Sequence, residues 1–409
     1  MTAPHLHSGH QVQLLEGGAE FFPALVAEID GAVVEVRMET YIFHFEGSGG
    51  QVAHALVRAA LRGVAVLVVM DGIGTPSVPA EWAERFAQAG VQWHQFSPLG
   101  KLGYFIPGRW RRMHRKLCAV DARVAFCGGI NILDDYLDPN YGALESARLD
   151  YAVRVQGPLV ADVQAALVQF WVRLQVARQL EHLSLRGARA AYAQASVPTS
   201  TAATAANDSA GPISEVFHNT AAALVLRDNV LNRTRIERAY RKAIATARHE
   251  VLIANAYFVP GTRLRRALVA AARRGVRVRL LLQGRYEYFM QFHAARQVYG
   301  SLLAAGVEIY EYQAGFLHAK VAVVDQRWAT VGSSNLDPLS LQLAREANVV
   351  VGDHAFAKAL QGCLEGVMER NAQRVHADLY AQRPWRQRVL DGLAFGAMWL
   401  MLVLTGRRY

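Results

Sequence analysis

Two distant stretches of this 409-residue chain carry the same polar residues at the same offsets: MHRKLCAVDARVAFCGGIN, residues 113–131, and LHAKVAVVDQRWATVGSSN, residues 317–335. Each reads H-x-K-x-x-x-x-D, followed by Gly128 and Asn131 in the first copy and by Gly332 and Asn335 in the second. Each also sits at the same place in a larger repeat. YIFHFEGSGGQVAHALVRAALRGVAVLVVMDG from Tyr41 and AYFVPGTRLRRALVAAARRGVRVRLLLQG from Ala256 both pattern as apolar strand, loop, helix, R-G-V turn and second strand. Gly63 and Gly275 stand where a helix gives way to a strand. The next helices end in matching turns at Gly90 and Gly306. A β-α-β-α-β order met twice predicts an α/β protein of two similar halves with largely parallel sheets.

The remaining boundaries follow from composition. Residues 1–30 form an N-terminal segment, 31–185 the first half and 215–375 the second. Between the halves, 186–214 is rich in Ala, Ser and Thr without apolar period and reads as a linker. The tail, 376–409, is basic and then apolar from Leu393 to Leu404, too short to span a bilayer, which takes about 20 residues. It reads either as a helix packed on the core or as an interfacial anchor, with Trp399 and the flanking arginines at headgroup level.

On a strand, residues two apart share a face, so His114 points with Lys116 and His318 with Lys320. Asp121 and Asp325 lie an odd number of residues from their histidines, hence on the opposite face, and each opens a turn (DARVAF, DQRWAT). They belong to the catalytic constellation as braces of the motif. Glycine in GGIN and GSSN, here Gly129 among them, permits close backbone approach, while Asn131, Asn335 and Ser333 offer neutral donors. Two halves facing each other would surround one small volume with two imidazoles, two ammonium groups and two amides. That pocket suits a phosphate diester: cations and amides neutralise the non-bridging oxygens, one histidine attacks phosphorus, and the other protonates the departing alcohol. The chemistry needs no cofactor, and no carboxylate cluster or Cys/His ligand set marks a metal site.

On these motifs the chain resembles the phospholipase D superfamily, whose signature is the paired H-K-D motif, over about Gly31 to Val351. Within it the chain looks like a short-type bacterial cardiolipin synthase. The resemblance implies two phospholipase D-like halves packed about a pseudo-twofold axis, with the active site between them. It implies a phosphohistidine intermediate on His114, with His318 as general acid and then base. It implies that Lys116, Lys320, Asn131 and Asn335 hold the phosphate, and that Asp150 and Glu346 orient the histidines.

The implied reaction joins two phosphatidylglycerol molecules into cardiolipin and glycerol. A net charge of +10 implies an anionic partner, whether nucleic acid, an acidic membrane surface or a phosphorylated substrate, and the resemblance selects anionic phospholipids at a membrane surface. The loop KLGYFIPGRWRRMHRK mixes aromatics with arginines, which suits a bilayer interface or, equally, single-stranded nucleic acid. A nuclease of the same superfamily is therefore the alternative, and nucleic acid the less favoured partner. The GRYEYFMQFHAARQVYGS segment reads as an amphipathic helix that could line the headgroup site. The N-terminus has no signal-peptide pattern, and Cys118, Cys127 and Cys363 form no disulfide framework. The expected location is peripheral, at the cytoplasmic face of a bacterial cell membrane. Oligomeric state is left open, as is the acceptor: phosphatidylglycerol, phosphatidylethanolamine and free glycerol all carry a suitable hydroxyl or headgroup.

Overall fold

The computed structural model describes residues 4–98, 110–181, 214–228, 232–337 and 344–404. Each half starts from three parallel strands. In the first, Glu35–Thr40, Ala65–Asp71 and Gln92–Phe96 are linked by the helices Gly47–Leu61 and Ala80–Ala89. In the second, Glu250–Asn255, Arg277–Gln283 and Glu308–Tyr312 are linked by Thr262–Arg273 and Phe289–Leu303. The turns at Gly63 and Gly275 have φ of 90° and 88°, a left-handed conformation that glycine adopts without a Cβ clash.

The sheets are mixed, less parallel than the repeat suggested. Each motif strand runs antiparallel to both neighbours: Leu117–Val120 to Glu35–Thr40 and Val124–Gly128, and Lys320–Val324 to Glu250–Asn255 and Trp328–Gly332. The cause is local. The Asp121 and Asp325 turns are hairpins, far shorter than the dozen or so residues a parallel crossover requires.

Beyond each hairpin the order continues through Tyr151–Gln156 and His7–Glu16 in the first half, and through Ala344–Val351 and Val216–Arg227 in the second. His7–Glu16 pairs antiparallel with Val216–Arg227, fusing the halves into one sheet of 16 strands among the described residues. Strand order outward from that junction is the same on both sides, which is the pseudo-twofold relation. Residues 7–30 thus supply the junction strand and the helix Gly17–Asp30, which buries Phe21, Phe22, Leu25 and Ile29 in the first half. Apart from Ser214, the 186–214 stretch lies outside the described residues.

One apolar core spans both halves, from Val12 and Val153 to Val349, beneath the helices Leu159–Glu181 and His354–Asn371. Separate cores fill the outer faces of the two halves. Cys118 and Cys127 are buried and unpaired. The tail forms the helix Trp385–Leu404, lying on Phe289–Leu303. No helix among the described residues is long and apolar enough to cross a membrane.

Candidate active site

Backbone contacts stitch each motif histidine to the opposite half. Arg112–Met113 pairs in parallel with the start of Ala344–Val351, and the His114 amide donates to the Arg345 carbonyl at 3.0 Å. In the mirror position Leu149 and Leu317 form a single bridge, and the His318 amide donates to the Leu149 carbonyl at 2.8 Å. The next acid along each receiving strand therefore meets the imidazole of the other half. His114 Nδ1 lies 3.1 and 3.2 Å from the two Glu346 oxygens. His318 Nδ1 lies 2.6 Å from Asp150 Oδ2. Both acids are buried, and the pairing is crossed: each meets the histidine of the other repeat. No spacing within one repeat could signal that.

The lysines complete the cluster. Lys116 Nζ donates to the His114 carbonyl at 3.0 Å, and Lys320 Nζ to the His318 carbonyl. Both are buried, and burial lowers Lys116 to about 7 and Lys320 to about 8. Glu346 opposes this most at Lys116, and Asp150 at Lys320. Burial likewise lowers both imidazoles, with each lysine adding to the effect on both histidines, so the four groups share one volume. Burial raises Asp150 to about 7. In the free protein the site thus favours neutral imidazoles and weakly held lysine protons.

The remaining predicted residues divide. Asn131 Oδ1 accepts from the Ile42 amide at 3.3 Å, leaving its NH2 group as donor. Asn335 is buried, and its Oδ1 accepts no hydrogen bond from the described residues. Ser333 and Gly129, predicted as phosphate contacts, face the orienting acids instead. Ser333 Oγ donates to Glu346 Oε2 at 2.5 Å. At the equivalent position, a Cβ on Gly129 would stand 2.2 Å from Asp150 Oδ1. The longer acid is held by a hydroxyl, and the shorter one fills the space that a side chain would take.

Asp121 and Asp325 stand at the far ends of the motif strands. Asp121 accepts the amides of Val33, Val34 and Glu35 at 2.8–2.9 Å, and Asp325 those of Arg248, His249 and Glu250 at 2.8 Å. Both adopt φ of 51°. They brace the strand that follows in space, as the odd spacing implied.

Sequence reasoning did not single out Tyr41, whose ring centroid lies 4.8 Å from that of His114 and 5.4 Å from Lys116 Nζ. Its counterpart in the second repeat is Ala256, so repetition gave no signal. Arg112 closes the first-half corner by bonding Asp71 Oδ1 at 3.1 Å. Tyr104, Phe105, Ile106 and Arg109 of the aromatic loop lie outside the described residues. GRYEYFMQFHAARQVYGS forms a corner and most of the helix Phe289–Leu303.

Comparison with known proteins gives a consistent result. Residues 25–149 and 240–367 match a family model described as cardiolipin synthase, PLD-like domain. The chain is 38% identical over 397 residues to cardiolipin synthase B of Escherichia coli K12, covering 95% of this chain and 87% of that one. It is 29% identical to a cardiolipin synthase of Geobacillus kaustophilus, covering 94% and 71%. The crystal structure of a Haemophilus influenzae phosphatidylserine synthase superposes with a TM-score of 0.67 over 97% of this chain and 96% of that one, at 13% identity, a likeness of fold. None of these relatives favours the nuclease alternative.

Proposed function

Because the chain belongs to the cardiolipin synthase family of the phospholipase D superfamily, we propose that it transfers a phosphatidyl group from one phosphatidylglycerol to a second, giving cardiolipin and glycerol. The observation that carries this reading is the crossed pairing of His114 with Glu346 and His318 with Asp150, around two buried lysines.

A carboxylate on Nδ1–H fixes the tautomer that leaves the Nε2 lone pair free. Burial keeps His114 unprotonated, as a nucleophile requires. His114 Nε2 attacks phosphorus, the P–O bond to glycerol breaks, and His318 supplies the proton that the departing glycerol needs. His318 then takes a proton from the free glycerol hydroxyl of the second lipid. That oxygen attacks phosphorus, the P–N bond breaks, and His114 is released. One diester replaces another, so no nucleotide is consumed. Lys116 and Lys320 meet the non-bridging oxygens, with the amides of Asn131 and Asn335 beside them. Binding an anionic diester raises both lysines, restoring the charges that burial weakens, and its negative charge beside His318 favours the protonated form that this histidine needs as acid. Water in place of the second lipid would give phosphatidic acid, so excluding water is part of the function. The substrates and the basic balance of the chain support peripheral attachment at the cytoplasmic face of the bacterial membrane.

The test is to incubate purified protein with phosphatidylglycerol vesicles and identify products by mass spectrometry, with single-stranded DNA in a parallel tube. Cardiolipin and glycerol in equal amounts are expected, with DNA left intact. Phosphatidic acid alone, or cut DNA without cardiolipin, would overturn the proposal.

A further inference from the structure

The tail helix is fixed to the body along one face. Asp391 is 1% exposed, with His293 Nδ1 at 2.8 Å and Arg383 Nη1 at 2.7 Å. Met398, also buried, packs with Val259 and Ala294. The helix packs on Phe289–Leu303: Tyr380, before it in the chain, lies 5.7 Å from Tyr299, and within it Asp391 meets His293 and Met398 meets Ala294 and Val259. Val259 follows Asn255, the register partner of Lys320. The far end of the tail helix therefore lies at the active-site end of the second half.

Its outer face there is apolar and open: Leu393 is 65% exposed, Trp399 56% and Leu400 53%. The adjoining corner exposes Tyr286 and Phe289, whose rings flank His293, the partner of Asp391. From the first half, exposed Tyr141 donates to the Glu287 carbonyl at 2.6 Å and lies 5.5 Å from Phe316, two residues before His318. An apolar, aromatic rim thus runs from the tail helix across the corner to the site, drawn from three separate segments. Large apolar side chains left exposed near one another on a surface mark an interaction site.

Charge selects the partner. The helix Thr262–Arg273 begins three residues after Val259, with Arg263, Arg265 and Arg266 and no acid in its first turn. A helix N-terminus favours anions, so cations there do not help the helix. They fit an anionic surface outside it. Aromatic and aliphatic side chains fringed by arginine are suited to the headgroup boundary of an anionic bilayer.

We propose that this rim seats the protein on an anionic phospholipid bilayer, with the active-site mouth opening onto the headgroup layer, so that both lipids reach His114 and His318 without leaving it. The inference rests on the phospholipid reading above and extends the contact beyond the tail to the Tyr286–Phe289 corner and Tyr141.

Deleting the tail would not test this, because the loss of Asp391 and Met398 would unpair His293 and uncover Val259. Outward-facing pairs do: Trp399→Ser with Leu400→Ser, Tyr286→Ser with Phe289→Ser, and Arg263→Gln with Arg266→Gln. Each apolar pair is expected to melt as the wild type does, yet to lose vesicle affinity by about tenfold or more in flotation, as removal of one or two buried apolar side chains implies. The arginine pair should lose affinity for phosphatidylglycerol vesicles and not for phosphatidylcholine ones. The Trp399/Leu400 and Arg263/Arg266 pairs should turn over short-chain phosphatidylglycerol, dissolved as monomers, at near wild-type rates. Wild-type flotation by the apolar pairs would overturn the proposal. So would a wild-type dimer in size-exclusion chromatography that these pairs convert to monomer with vesicle binding unchanged, since the rim would then be a contact between copies. If wild type makes no cardiolipin from either lipid form while the pairs still lose flotation, the reaction reading fails and the surface stands.

Discussion

Gly129→Ala tests the crossed architecture at its tightest point. The new Cβ would stand 2.2 Å from Asp150 Oδ1 and 2.6 Å from Oδ2, where ordinary contact begins at 3.4 Å, so the oxygens must retreat by 3.4 − 2.2 = 1.2 Å and 3.4 − 2.6 = 0.8 Å. Gly129 is not among the positive-φ glycines, so the effect is one of space and not of backbone strain. A carboxylate held at 2.6 Å from His318 Nδ1 cannot move that far and keep the bond. Misplacing a catalytic group by about 1 Å costs on the order of a hundredfold, or about 2.7 kcal/mol in the barrier. Cardiolipin formation in detergent-dispersed phosphatidylglycerol should fall by that factor, with only a modest drop in Tm. Although residue 129 follows the first motif, the damaged step is the one that His318 serves. A phosphatidyl ester with a nitrophenyl leaving group, which needs no protonation, should therefore recover most of the first-step rate. Activity within threefold of wild type, or an equal loss with both leaving groups, would refute the reasoning.

Other consequences are simpler to measure. Ser333→Ala removes the hydroxyl from Glu346 and should slow turnover by roughly tenfold, the worth of one hydrogen bond to a charged group, in a kinetic assay on detergent-dispersed lipid. Lys116→Met or Lys320→Met should cost about 2.7–4 kcal/mol in the barrier while leaving Tm unchanged or higher, since each removes a buried charge. Asp121→Asn and Asp325→Asn weaken a three-amide acceptor and should lower Tm, with turnover per folded molecule largely kept. In the pH profile, a lysine is charged below its pKa, and those of Lys116 and Lys320 lie at about 7 and 8 in the free protein. The kcat/KM value should therefore fall as pH rises through that window. Because the bound diester raises both lysines, kcat should hold to about one pH unit higher or more. Coincident alkaline limbs would contradict that assignment.

Much of this site was legible before any coordinates. Repetition carried it: His, Lys, Asp, Gly and Asn recur at fixed offsets, so each copy vouches for the other, and the odd His-to-Asp spacing separated the bracing Asp121 and Asp325 from the reacting groups. What stayed hidden is what the two copies do not share or what arises between them. The position of Tyr41 is held by Ala256 in the second repeat, and that of Ser333 by Gly129 in the first, so neither role repeats. The exchange of Glu346 and Asp150 between halves depends on Arg112–Met113 reaching Ala344–Val351 and on Leu149 reaching Leu317, contacts between residues far apart in the chain. The antiparallel motif strands were readable in principle, because the turns opened by Asp121 and Asp325 leave only a few residues between two apolar runs, and so short a hairpin cannot continue a parallel sheet. The tail divided the two readings offered for it: one face of Trp385–Leu404 packs on the body and the other is open.

The central claim is that two like histidines have unlike roles. It is tested most directly by trapping the covalent intermediate: protein mixed with phosphatidylglycerol labelled in the phosphatidyl group, quenched in denaturant within one turnover, digested and mapped. The label should sit on His114 in the wild type. In His318→Ala it should build up on His114 when the substrate carries an activated leaving group, and in His114→Ala it should be absent. Label on His318 in the wild type, or cardiolipin formed without any adduct, would contradict the account.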